Sequence, residues 1–247
     1  MSSEATGPRT EAVHLNAQHQ HLRLPGREPE RLLELTRQRW HQQQGAHGSD
    51  LWVFGYASLI WRPEFDFTER HATRVHGWHR ALKMWSRVNR GTPELPGLVF
   101  ALLPGGCCQG MAFRVPHRHA DAVLEQLWWR EMPTGVYDPR WLPCATPHGR
   151  VEALAFTLSR RSPAFTGELP PERYRQIFLE ATGRYGTTLD YARQTLDALA
   201  AHGIRDRRLA SLLAHAGTPA GWRPTGRRIP GTVTDGITAC PTESPTP

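Results

Sequence analysis

A single carboxylate and a loop of small residues are the parts of this 247-residue sequence best suited to chemistry. Across His117–Glu131 the apolar residues Ala120, Val123, Leu124, Leu127 and Trp128 recur at the three- and four-residue steps of an amphipathic helix. The next step along that stripe is Glu131, at the last turn before Pro133 ends the helix. A carboxylate directed the way core side chains point is costly to ionise. Burial and the negative helix end both raise its pKa, toward the range in which it takes up and returns a proton near neutral pH. The structural alternative is a glutamate paired with Arg130 or Arg80, and the pattern alone leaves both readings open.

The second feature is L-W-V-F-G-Y-A-S-L-I-W, residues 51–61. Trp52, Val53 and Phe54 favour a buried strand, and Gly55 then admits backbone angles that the others do not. Ala57 and Ser58 are small enough to let a ligand approach the main chain, where consecutive N–H groups converge on a carboxylate or phosphate. A buried first strand with an ordinary turn is the plainer reading of the same residues.

Composition narrows the field. The net charge of +7 and pI near 9.8 come from arginines, with Lys83 the lone lysine, scattered among acids. No basic run is interleaved with aromatics, so a nucleic-acid partner is not expected. Cys107, Cys108, Cys144 and Cys240 form no C-x-x-C pair and no regular disulfide spacing, which favours a reduced, cytoplasmic protein. No apolar stretch is long enough to cross a bilayer. The thirteen histidines are widely spread and read as surface residues rather than metal ligands.

The elements that must position these groups follow from periodicity. Residues 1–28 are polar and aperiodic, as expected of a disordered segment, and Pro29–Gln42 suits a helix. Val75–Trp85 reads as a strand, Leu98–Leu103 and Gly110–Val115 as a hairpin about Pro104-Gly105-Gly106, and Trp141–Cys144 with Val151–Leu158 as another. Three helices are expected after Pro171: one closed by Gly183, then Thr188–His202, then Asp206–Ala216. Strands around one helix, then a run of helices, give an α+β protein, a small curved mixed sheet or open barrel with helices packed outside. The domain expected is 51–217, between an N-terminal extension (1–50) and a Pro/Thr/Gly-rich tail (218–247).

The segments V-F-G-Y-A-S-L-I-W (53–61), G-W-H-R-A (77–81), W-W-R-E-M-P-T-G-V-Y-D-P-R-W (128–141) and G-R-Y-G-T-T-L-D-Y (183–191) occur in an order and spacing that carry further meaning. Together they resemble the bacterial ChaC-type, glutathione-specific γ-glutamylcyclotransferases, over roughly Leu51 to Ala216. The resemblance implies a lyase that cleaves glutathione to 5-oxoproline and cysteinylglycine, without metal or organic cofactor. It also implies that Val53, Phe54, Gly55, Tyr56, Ala57 and Ser58 hold the γ-glutamyl group and that Glu131 is the proton acceptor. Arg80 matches a family arginine, and Tyr137 falls where it would line the pocket. Ala57 departs from the family's usual glycine; a positive φ there would strain it. A cyclotransferase acting on other γ-glutamyl peptides or amines, and a non-catalytic binding module on the same fold, are the alternatives. Oligomeric state is not legible.

Overall fold

Long stretches rich in β-branched, aromatic and apolar residues, interrupted by a helical stripe, organise the chain around a curled sheet. The computed structural model describes residues 24–43 and 49–214. In order they form helix α1 (Pro29–Gln43), strand β1 (Leu51–Gly55), one helical turn α2 (Ser58–Trp61), and strands β2 (Glu69–Ser86) and β3 (Gly97–Val115). Helix α3 (His117–Glu131), strands β4 (Asp138–Thr146) and β5 (Gly149–Thr157) and helix α4 (Pro171–Glu180) follow. The short strands β6 (Thr182–Gly183) and β7 (Gly186–Thr187) then lead into helices α5 (Thr188–Ala201) and α6 (Arg207–Ala214).

The five-stranded sheet has the order β2-β3-β1-β5-β4. β1 runs antiparallel to β3 and parallel to β5, so the sheet is mixed, as expected. Its two edges curl toward each other until the Thr73 hydroxyl on β2 donates to the Ala145 carbonyl on β4, 2.8 Å away. Consecutive Ala153, Leu154, Ala155 and Phe156 on β5 are all buried, so both faces of this strand are covered.

β3 corrects the expected hairpin. Pro104-Gly105-Gly106 does not turn the chain back: one 19-residue strand runs through it, paired with β2 on one side and with β1 through its second half. Gly105 and Gly106 take φ of 101° and 71° beside a register shift at Gly77, itself at φ 80°. The glycines absorb a bulge that coils the ribbon, which is the other use of positive φ in a sheet. Cys108 is thus a buried strand residue, not a turn residue. Cys108 and Cys144 are free thiols, whereas Cys107, against expectation, is disulfide-bonded.

The α3 boundaries match the expected helix, and its buried residues are the five of the stripe. α4 ends at Glu180 rather than at Gly183, which instead packs in β6 against the backbone of Asn89, Arg90 and Gly91. Of the stretch read as disordered, residues 1–23 lie outside the described residues, as does the whole tail Thr218–Pro247. Residues 24–28 are held: Leu24 N–H donates to Thr134 O, Arg27 Nε donates to Gly135 O, and Arg27 pairs with Asp138 at 2.8 Å. α1 continues the same attachment by burying Leu33 and Trp40, while the Trp128 indole N–H donates to Pro29 O at 2.8 Å. No helix among the described residues is long and apolar enough to span a membrane.

Candidate active site

Three separate elements deliver the expected residues to one end of the barrel. β1 carries the first of them, as the middle strand of three; Val53 faces Phe113 across one ladder and Leu154 across the other. Val53 and Phe54 are fully buried. Gly55 is required by close approach rather than by φ: a Cβ there would sit 3.0 Å from Leu59 Cβ and 3.0 Å from a Phe113 ring carbon. The chain then leaves the sheet, and Tyr56, Ala57 and Ser58 form the bend into α2. Ala57 has φ −144°, so the positive φ that would have penalised a methyl group is not adopted. No side chain caps the turn that follows it.

The loop is fixed from two sides. Tyr56 donates its hydroxyl to Phe156 O at 2.9 Å. Its carbonyl accepts from Arg80 Nη1 at 2.8 Å, and the same nitrogen donates to Gln109 O at 3.0 Å. Arg80 is held in turn by Asp206, with Nη2 2.5 Å and Nε 3.1 Å from Oδ2. Of the two arginines offered as partners of Glu131, Arg80 is thus paired with Asp206 instead. With four of its five N–H groups donated to a carboxylate and two carbonyls, the guanidinium anchors the Tyr56 loop.

Glu131 arrives from the end of α3. Its side chain is largely buried, and Arg130 Nε lies 3.1 Å from its Oε1. Arg130 is shared: it also pairs with Glu64 at 2.9 Å, donates to the carbonyls of Arg62 and Pro63, and reaches Ser58 Oγ at 3.4 Å. Glu64 is the one non-glycine residue at positive φ (59°) among the described residues. Burial pushes the Glu131 carboxyl above its ordinary value; Arg130 opposes the shift and Glu64 adds to it. The arginine pair exists, and desolvation still sets the direction.

Around Glu131 stand Tyr56, Tyr137 and Tyr191, all buried, all raised above the ordinary tyrosine value by burial first and by the Glu131 charge as a further cause. Each phenol stays protonated at neutral pH; Tyr56 gives its proton to Phe156 O and Tyr137 gives its own to Tyr56. Tyr137 and Tyr56 are hydrogen-bonded to each other, and Phe100 N–H donates to the Tyr191 hydroxyl at 3.3 Å. Arg90 lies over the Tyr191 ring, 4.9 Å from its centroid. Tyr191 was within a quoted motif but had no assigned role. Its inward position on α5, one helical turn before Thr195, is the signal that would have singled it out.

With this geometry in place, comparison with known proteins is informative. A family model described as "ChaC-like protein" matches residues 51–218. The glutathione-specific gamma-glutamylcyclotransferase of Escherichia coli (strain K12) is 35% identical over 164 residues, covering 66% of this chain and 71% of that protein. Glutathione-specific gamma-glutamylcyclotransferase 1 of Homo sapiens is 31% identical over 175 residues, covering 68% of this chain and 79% of that protein. The crystal structure of a γ-glutamyl cyclotransferase specific to glutathione from yeast superposes with a TM-score of 0.62 at 23% identity, covering 68% of this chain and 96% of that one, which establishes the shared fold.

Proposed function

This chain belongs to the ChaC-like family, and from that premise and the placement of Glu131 we propose that it cleaves glutathione to 5-oxoproline and cysteinylglycine. The observation that carries the reading is a buried carboxylate with a raised pKa, ringed by protonated tyrosines beside an anchored loop.

The substrate supplies its own nucleophile. Its α-amine attacks the γ-carbonyl carbon, a C–N bond closes the five-membered ring, and the amide C–N bond to cysteine breaks. Tethering gives such a reaction a high effective concentration, so the protein has chiefly to fold the γ-glutamyl chain and move protons. The two protons lost by the α-ammonium nitrogen equal the two gained by the amide nitrogen as it leaves as an ammonium group. Glu131 takes them up and returns them; raising its pKa strengthens it as a base. The reaction is redox-neutral and balances without a second substrate.

In the same proposal the Gly55–Ser58 bend, with its uncapped turn and the Ser58 hydroxyl, receives the γ-glutamyl group through backbone N–H groups. Val53 and Phe54 support that bend from the core rather than touching substrate with their side chains. Tyr191, whose oxygen already accepts from Phe100, directs its proton toward the oxyanion that forms on the γ-carbonyl. Tyr137 lines the pocket and fixes Tyr56. A cytoplasmic location belongs to the proposal and is supported by the free thiols of Cys108 and Cys144; disulfide-bonded Cys107 stands against a fully reducing surrounding.

Incubating the purified chain with glutathione and, separately, with γ-glutamyl dipeptides tests the substrate. Glutathione is expected to give equal amounts of 5-oxoproline and cysteinylglycine, at a higher kcat/KM than any dipeptide. Preference for a dipeptide would move the assignment to a broader cyclotransferase, and no 5-oxoproline from either would refute it.

Position 57 tests the loop. Ala57 is buried at the bend, so Ala57→Val is expected to crowd the approach to the backbone and lower kcat/KM by roughly 10- to 100-fold, the scale of an ångström-level misplacement. Ala57→Gly should be close to neutral, because φ is already negative. Equal kinetics for the Val variant would place the substrate elsewhere.

A further inference from the structure

At the opposite pole of the barrel from Glu131, three ligand-type side chains meet across the seam where the sheet edges approach. Glu69 and His71 are two residues apart on β2, which puts them on one face of the strand. His148 reaches them from the turn between β4 and β5. Glu69 Oε2 lies 3.0 Å from His71 Nε2 and 3.0 Å from His148 Nε2, and the three atoms all lie within 4.8 Å of one another. A tetrahedral zinc ion with bonds of about 2.0 Å separates its ligand atoms by about 3.3 Å, so small side-chain rotations suffice to bring an ion between them.

The surroundings favour this use. Arg114 occupies the other oxygen of Glu69 and pairs also with Asp50 at 2.5 Å, which leaves Oε2 to the histidines. A cleft of about 850 Å³ opens beside the cluster, with Asp50, Trp52, Arg114, Trp141, His148 and Glu152 in its wall. It offers an entry path and room for a water or a fourth ligand.

We propose that Glu69, His71 and His148 form a site for a borderline divalent transition-metal ion such as Zn²⁺, which clasps β2 to the β4–β5 turn and takes no part in the chemistry at Glu131. Imidazole and carboxylate together suit this class of ion, and the open position faces the cleft.

The test uses the full chain, in buffer free of glutathione because its thiol binds zinc. His148 is largely exposed in a turn, so His148→Ala is expected to fold. Titration with ZnCl₂ should reveal in the wild type one equivalent bound at least tenfold more tightly than any in His148→Ala or His71→Ala. Co²⁺ should give a visible absorption band that both variants lack, and Zn²⁺ should raise the thermal midpoint of the wild type alone. 5-Oxoproline release by His148→Ala without metal should match the wild type. The same zinc affinity and stoichiometry in wild type and His148→Ala, or no zinc bound by the wild type, would overturn the proposal.

Discussion

Replacing Arg80 with alanine is expected to lower stability by about 3 kcal/mol or more, the usual cost of leaving one partner of a buried ion pair uncompensated. For a domain of this size that is a fall in thermal midpoint of roughly 6–12 °C. The reason lies in what the guanidinium joins. Arg80 on β2 bonds Asp206 before α6, the carbonyl of Tyr56 and the carbonyl of Gln109, and its side chain is almost wholly buried. Its removal takes the counter-charge from the Asp206 carboxylate, which keeps only the Leu209 N–H, and a donor from two carbonyl oxygens. Activity should fall further than stability explains, by at least about tenfold at a temperature where the variant remains folded, because the Tyr56 loop loses its tether. Asp206→Asn separates the two effects. It weakens the ion pair yet leaves Arg80 bonded to Tyr56 O, so it should lose stability while keeping most of its turnover. A folded Arg80→Ala protein with unchanged kcat/KM would remove Arg80 from the positioning of the loop.

Local physics made part of this site legible. The α3 stripe pointed to Glu131 because helical period and burial direction are both properties of neighbouring residues, and Pro133 marked where the helix stops. The strand-to-loop change at Gly55 was visible for the same reason, although its cause was misjudged: the glycine answers to Phe113 and Leu59, not to its own φ. Nothing local could pair Arg80 with Asp206, 126 residues away, or carry Tyr191 from α5 to the side of Glu131. Pro104-Gly105-Gly106 misled because its residues serve a turn and a bulge equally well. The partner strand decides between them, and β2 continues past that point on the other side. The helix at Pro29–Gln42 was legible before Leu51, but its attachment was not: Leu33 and Trp40 are buried where it docks.

Glu131→Gln keeps size and shape while removing the exchangeable proton. As general base, its loss should cost about 10²–10⁴-fold in turnover. Stability should move the other way. A carboxyl whose folded pKa lies above its unfolded value of 4.5 contributes fully below that pH and loses its contribution as pH rises through the folded pKa. The glutamine variant has no such loss, so its advantage in thermal midpoint should be absent below about pH 4.5, grow as pH rises above it and level off above the folded pKa. Arg130 is not stranded by the change, since Glu64 and the carbonyls of Arg62 and Pro63 still hold it. A purely structural Glu131 would reverse both signs, giving a variant that is less stable and still active. The decisive measurement is therefore the rate of 5-oxoproline release from glutathione by wild type and Glu131→Gln at pH 7–8, with the thermal midpoint taken on the same preparations. A folded, equally or more stable variant with turnover reduced at least a hundredfold is the predicted result; a destabilised variant that retains its turnover would contradict the account.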